Sequence, residues 1–278
     1  MKIVEPSVEL WVSENETEHI AKCARVCYAS DSTENNEQLL ANLKANNHLS
    51  MFRHAGVYYV MPDTVKFSIK YNAFGFMQYK HIDNSIIIST NRQIADSYLS
   101  AYSKYEIPYS QAATDIRFIE NKFIRYTFCV QTGIDITREL NRKSPNNIAE
   151  QSTRYVNFNK KVGIQYKQCH WMSSLNWYRK CLMKMMCRID SWFYTWSLSK
   201  YGLNLKAEDA RWCLYLDTMS KAVYTYSVSE WEYIINLRLF NWTGTAHPDA
   251  QVVAQKIYDI LTNEQGYTIN NYKESNNG

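Results

Sequence analysis

The chain has 278 residues, 46% hydrophobic and 21% charged, with a formal net charge of +4. That balance excludes a disordered chain and allows a sizeable core in one large domain or two small ones. The mild positive charge, without a clustered basic run, does not call for nucleic acid; it suits a few arginines gathered around a small anion.

Residues 1–16 lack the basic end and apolar core of a secretory signal, and no apolar run is long enough to span a membrane. The seven cysteines form no CxxC pair, which favours reduced thiols over a disulfide framework. The expectation is a cytoplasmic protein, in a bacterial cell or, if phage-encoded, in its host. Residues 14–28 place Ile20, Cys23, Val26 and Cys27 at helical spacing behind an acidic start. Residues 36–47 read as a second helix. From His48 the chain turns into an alternating Val/Tyr-rich strand, with 65–71 as its continuation or partner. Residues 85–105 begin apolar and become helical, 123–132 form a strong strand, and the piece after it is short and amphipathic. Beyond that the reading is helical: 173–200, about 207–224, a stretch from Ser229, and a last helix from Pro248, which fits a first-turn position. Residues 263–278 form a polar tail expected to fray. The predicted architecture is α+β, a small antiparallel sheet packed with long helices in a single domain over 1–262.

Glycine is scarce, and neither GxGxxG nor GxxxxGK[ST] occurs, so phosphate binding must rely on side chains. Polar residues crowd the stretch 142–155, RKSPNNIAEQSTRY. It resembles the signature of flavin-dependent thymidylate synthases, a basic Arg-His-Arg triplet, seven residues, Ser, any residue, Arg. Arg142, Glu150, Ser152, Arg154 and Tyr155 match; Lys143 and Ser144 stand at the second and third triplet positions. Other segments agree in order: ARVCY (24–28), HLSMFRH (48–54), TRELNR (137–142), AEDARWCL (207–214), and INLRLF with TAHPDAQ (235–251). The resemblance covers roughly residues 20–262, with an insertion at about 62–120 like that of longer phage and bacterial members.

The resemblance implies conversion of dUMP to dTMP, with methylenetetrahydrofolate as one-carbon donor, FAD as hydride carrier and NADPH as reductant. The protein then binds, orients and polarises while the flavin carries the hard step. It implies a nucleotide site from Glu139, Arg142, Glu150, Gln151, Ser152, Thr153, Arg154, Arg211 and Arg238. Arg238 would stabilise charge on the pyrimidine, and Ser152 would act beside it. It implies a flavin site from His54, Arg142, Lys143, Ser144, Glu150, Ser227 and Tyr233, and a homotetramer with sites between subunits. Arginine suits a phosphate dianion because its planar fork donates two parallel bonds. Without the resemblance, Arg211 and Arg238 would read as surface arginines on helices, Ser152 as a helix N-cap, and His54 as a hydrogen-bonded structural residue. His48, His54, His170 and His247 match no zinc spacing, so no metal is expected; His170 reads as packing and His247 as ordering the turn before the last helix.

Lys143 keeps a charge as a flexible point, and Ser144 loses one, which costs on the order of 1.5–3 kcal/mol for a charged hydrogen bond. Arg53, Lys66 and Arg92 are candidate replacements. Tyr215 stands where the family has a proline, and Ser227 and Tyr233 where compact members use asparagine. The alternatives are a related flavin enzyme modifying C5 of another pyrimidine nucleotide, and a nucleotide-binding relative without catalysis.

Overall fold

The computed structural model describes residues 2–29, 35–67, 75–161 and 163–275. Its centre is a four-stranded antiparallel sheet ordered β2-β6-β9-β7, where β2 is Ser7–Trp11, β6 Arg125–Gly133, β7 Ile148–Glu150 and β9 Met219–Ser227. A second antiparallel sheet, β3-β5-β4, joins Gly56–Pro62, Ser85–Asn91 and Gln78–Ile82. A short parallel pair joins β1 (Lys2–Val4) to β8 (Gln165–Lys167). The predicted α+β class is what forms.

Period-two alternation sorts the central strands between two cores. Phe128, Val130, Tyr224 and Tyr226 point to one side, where they meet Trp231, Ile234 and Ile235 of α7 (Val228–Arg238) and Val253 and Ile257 of α8 (Pro248–Asp259). Cys129 and Val223 point to the other side, against Cys23 and Val26 of α1 (Glu16–Tyr28). Helix α2 (Asn36–Ala45) packs on α1 through Leu43 and Ile20. The second sheet has its own core, with Tyr59, Met61, Ile86 and Ile88 meeting Ile94 of α3 (Arg92–Tyr98). Helix α4 (Tyr109–Ile119) leads back to β6, which turns into α5 (Ile134–Leu140) at Gly133. A Cβ on Gly133 would collide with the Asp135 carboxylate.

Helix starts follow local chemistry. Asn15 caps α1 by accepting from Glu18 N at 3.0 Å. Asn176 caps α6 (Trp177–Leu198) by accepting from Arg179 N at 3.0 Å. Ser227 and Glu230 form a reciprocal capping box on α7. No helix among the described residues is long and apolar enough to cross a membrane.

Three expectations are corrected. The helix expected over 207–224 is helical only at Ala207–Ala210 and in a 3-10 turn at Arg211–Cys213; Met219–Ser227 is the second central strand. A strand buried on both faces loses the polar alternation that would identify it. The described partner of β3 is β5; of the expected 65–71, residues 65–67 form no strand and 68–71 lie outside the described residues. The tail does not simply fray: Tyr267 and Ile269 are buried in the main core, and Tyr272 N donates to Asn236 Oδ1 at 2.7 Å.

Trp231 is 1% exposed. Its ring meets Phe128, Tyr224 and Tyr226 edge-on, and its Nε1–H donates to Tyr126 O at 3.1 Å. Replacing Trp231 by Ala should lower unfolding stability by about 3–5 kcal/mol, read as a reduced denaturant midpoint.

Candidate functional site

The polar stretch begins where α5 ends, and it meets the C-terminal end of α7 there. Arg238 donates from Nε to the Glu139 carbonyl at 3.1 Å and pairs through Nη1 with the Glu139 carboxylate at 3.2 Å. The other carboxylate oxygen of Glu139 takes Arg142 Nη2 at 2.9 Å. Two arginines distant in sequence thus share one carboxylate. The Arg238 side chain is 12% exposed and that of Arg142 66%. Burial lowers the Arg238 guanidinium from its usual range; Glu139 opposes that shift and Arg142 adds to it.

Lys143 turns inward. Its ammonium lies 3.3 Å from Glu230 Oε1 and above the Tyr226 ring. The other Glu230 oxygen pairs with Arg125 Nη1 at 3.2 Å. Arg125, its side chain 1% exposed, also donates to Ser89 Oγ and to the Phe76 carbonyl. Burial would raise the Glu230 carboxyl, but Arg125, Lys143 and the backbone N–H of Ser227 outweigh it and hold it below the usual carboxylate range. Ser144 is exposed ahead of a cis proline. Ser227, expected at the flavin, is fully buried and engaged in capping α7. Tyr233 is exposed, its ring edge-on to Trp242.

The second half of the stretch forms its own group. Glu150 accepts from Thr137 Oγ1 at 2.8 Å and from Ser220 Oγ at 3.3 Å. Gln151 N donates to the Lys221 carbonyl at 2.8 Å. Ser152 Oγ accepts from Arg154 N at 3.1 Å, a turn and not a helix cap. Arg154 pairs with Glu208 at 3.0 Å, and Arg211 donates to Thr153 Oγ1 at 3.1 Å. Gln151 also lines a cavity of about 190 Å³ with Gln131, Gln165, Ser220 and Lys221.

His54 lies apart from both groups, on the α1 side of the sheet. It is 1% exposed. Its Nδ1 meets Thr225 Oγ1 at 2.8 Å, Thr225 meets Thr127 at 2.8 Å, and Thr127 meets His19 Nε2 at 2.9 Å. Nε2 of His54 is buried with no hydrogen-bond partner among the described residues. Burial pushes the His54 imidazole down to about 3, with His19 and Arg53 contributing, so it is neutral near pH 7. Of the candidate replacement cations, Arg53 reaches the altered loop, donating to the Asn146 carbonyl at 3.3 Å with its guanidinium over Phe76. Arg92 is held by Glu16 and Glu106. Lys66 is exposed after β3.

Arg125 and Glu230 were not among the expected site residues. Glu230 was findable as the fourth residue of a Ser-x-x-Glu capping box. Arg125 carries no local signal, because its role depends on three segments meeting around it. Glu230→Gln should cost about 3 kcal/mol at neutral pH by leaving Arg125 buried beside a neutral amide. Because the folded-state carboxyl is depressed, its contribution is present above the ordinary glutamate range and is lost as pH falls through the lower folded value. The gap between wild type and variant in urea midpoint should therefore close in acid.

A family model described as thymidylate synthase complementing protein matches residues 121–264. No curated protein matches the sequence. Similar solved structures include the UMP/dUMP methylase PolB from Streptomyces cacaoi bound with 5-Br dUMP. It is 15% identical, with 95% of this chain and 93% of that chain covered and a TM-score of 0.45. The same methylase bound with 5-Br UMP is 15% identical, with 94% and 91% covered and a TM-score of 0.44. Thymidylate Synthase X from Helicobacter pylori, with FAD and dUMP, is 16% identical, with 57% and 78% covered and a TM-score of 0.39.

Proposed function

As the chain belongs to the thymidylate synthase complementing protein family, we propose that it is a flavin-dependent thymidylate synthase. It converts dUMP to dTMP, taking the one-carbon unit from methylenetetrahydrofolate and reducing equivalents from NADPH through FAD. The observation that supports this reading most is the meeting of Arg142 and Arg238 at Glu139. Arg142 is open to solvent and offers its fork to a phosphate dianion. Arg238 is held by its neighbour's carbonyl and carboxylate in a half-buried position. There a fixed cation stabilises negative charge developing on a pyrimidine more than it would in water. Arg154, Arg211 and Thr153 supply further donors for the nucleotide, and Gln151, Ser152 and Glu150 hold the loop that presents them.

The side chains fit a flavin laid across a surface and not one enclosed by a single chain. His54 offers an unpartnered Nε2 beside a cavity of about 100 Å³, well under the several hundred Å³ of an enclosed cofactor site. Arg142 and Arg53 would hold the diphosphate; Lys143, engaged by Glu230, would act on it at longer range. When bound, FAD supplies the hydride that completes the methyl group.

A second copy would close such a site. Along α6, Tyr178, Leu182, Met185, Ile189 and Trp192 are all at least 40% exposed and alternate four and three apart, the seam spacing of paired helices. We assign this face to subunit contact in a homotetramer. Leu182→Lys with Ile189→Lys should yield a smaller species by light scattering; an unchanged mass would remove α6 from the interface.

Arg238→Ala should lower dUMP methylation by about 10²–10³-fold with its thermal unfolding curve preserved. Unchanged turnover would refute the assignment of Arg238. Retention of flavin absorbance after addition of FAD and desalting tests the cofactor separately.

A further inference from the structure

Away from this machinery, Lys167 is buried, its side chain 1% exposed, at the centre of three carboxylates. Its ammonium lies 2.6 Å from Asp135, 3.3 Å from Asp217 and 2.7 Å from Asp249 Oδ2. Three carboxylates against one ammonium leave two formal negative charges. Asp249 is the most enclosed, with a side chain 3% exposed. Burial would raise its carboxyl, yet Lys167 and the His170 N–H groups hold it below the usual range, so it is ionised near pH 7.

Two imidazoles face this carboxylate. His170 Nδ1 lies 3.0 Å from Asp249 Oδ1, and His247 Nδ1 accepts a long 3.3 Å bond from Asp249 N. The two rings stand 5.5 Å apart, nearly perpendicular. One ligand atom from each of His170, His247 and Asp249 lies within 4.8 Å of the other two. A cavity of about 220 Å³ opens beside them, lined by Glu5, Gln168 and Ser173 among others.

We propose that His170, His247 and Asp249 bind a divalent transition metal of the zinc class. Two imidazole nitrogens and one carboxylate oxygen are a ligand set such ions accept, with a fourth position left for water from the cavity. Lys167 holds Oδ2 and leaves Oδ1 facing the histidines, as a charged outer partner orients a ligating carboxylate. The metal takes the Nδ1 lone pair of His247 in place of the weak capping bond. It takes that of His170 after the ring proton moves to Nε2, so no net proton is released. A dication also cancels the two excess negative charges. The role is structural: the ion ties the start of α8 to the segment between β8 and α6.

The test uses tag-free full-length protein, stripped with EDTA and titrated with Zn²⁺ by calorimetry, then with Co²⁺ by visible absorbance. The expected result is one ion per chain and a thermal unfolding midpoint raised by Zn²⁺. His170→Ala and His247→Ala should each weaken binding at least about tenfold, while His81→Ala, on an exposed strand of the insertion, should not. Circular dichroism of each apo variant separates a lost ligand from a lost fold. Absence of stoichiometric Zn²⁺ binding by the wild type would overturn the site, as would undiminished binding by the His170→Ala/His247→Ala double variant. Neither result touches the flavin reading, whose own test is retention of FAD.

Discussion

The buried ion pair between Arg125 and Glu230 is the constraint around which the site is arranged. Arg125 opens β6, its backbone N accepted by Tyr58 of the second sheet. Its side chain reaches Ser89 of β5, the Phe76 carbonyl of the insertion and the first turn of α7. One guanidinium therefore joins both sheets to the helix that carries Arg238. Such a pair is no large source of stability, because desolvation of two charges offsets most of their attraction. Its effect is geometric: only one arrangement of these segments leaves neither charge unpaired. Lys143 is recruited to the same carboxylate, so the altered triplet is locked to the core.

That recruitment gives a physical account of the departure from the basic triplet. Pro145, which follows Ser144, packs close to the segment before β4: an added Cβ on Gly75 would lie 3.1 Å from its ring. Arg53 meanwhile approaches the same loop from the end of the preceding 3-10 turn. The insertion and the rewritten loop are thus one packed unit, and positive charge beside the loop comes from a different segment.

Much of this was legible in the sequence, for identifiable reasons. Helix α1 and strand β6 carry one polar face or one strong β-branched and aromatic run, and each forms close to its predicted span. The first-turn role of Pro248 and the ordering of the turn before it by His247 follow from local chemistry, whereas the bond from Asp249 N to the His247 ring is seen only in the structure. Strand β9 was not legible because Ala222, Val223, Tyr224 and Tyr226 are buried on both faces, and an apolar run without alternation fits a buried helix equally well. The docking of Tyr267 and Ile269 was hidden by the asparagines around them, of which Asn270 bonds to α7, its carbonyl accepting from Asn236 and its side chain donating to Glu232. For the site, the resemblance pointed to Arg142 through the signature and to Arg238 through INLRLF, but their convergence on Glu139 is a tertiary fact. So is the separation of His54, placed by the threonine pair that links β6 and β9 beneath it.

Three arginines of the proposed nucleotide site share a feature that bears on how an anion would enter. Arg142 and Arg238 rest on Glu139, and Arg154 rests on Glu208. Without these carboxylates several cations would repel one another across a small region. With them the free protein keeps its arginines aimed and partly neutralised. Exposed pairs of this kind are worth about 0–1 kcal/mol, so in the proposed reading a phosphate dianion would displace Glu139 from Arg142, or Glu208 from Arg154, at little cost. Arg238 is different: its second bond goes to the Glu139 carbonyl, which an incoming anion does not displace. The cluster therefore combines cations that are free to change partner with one that is not, and in the proposed reading the fixed one is the group that faces the substrate ring.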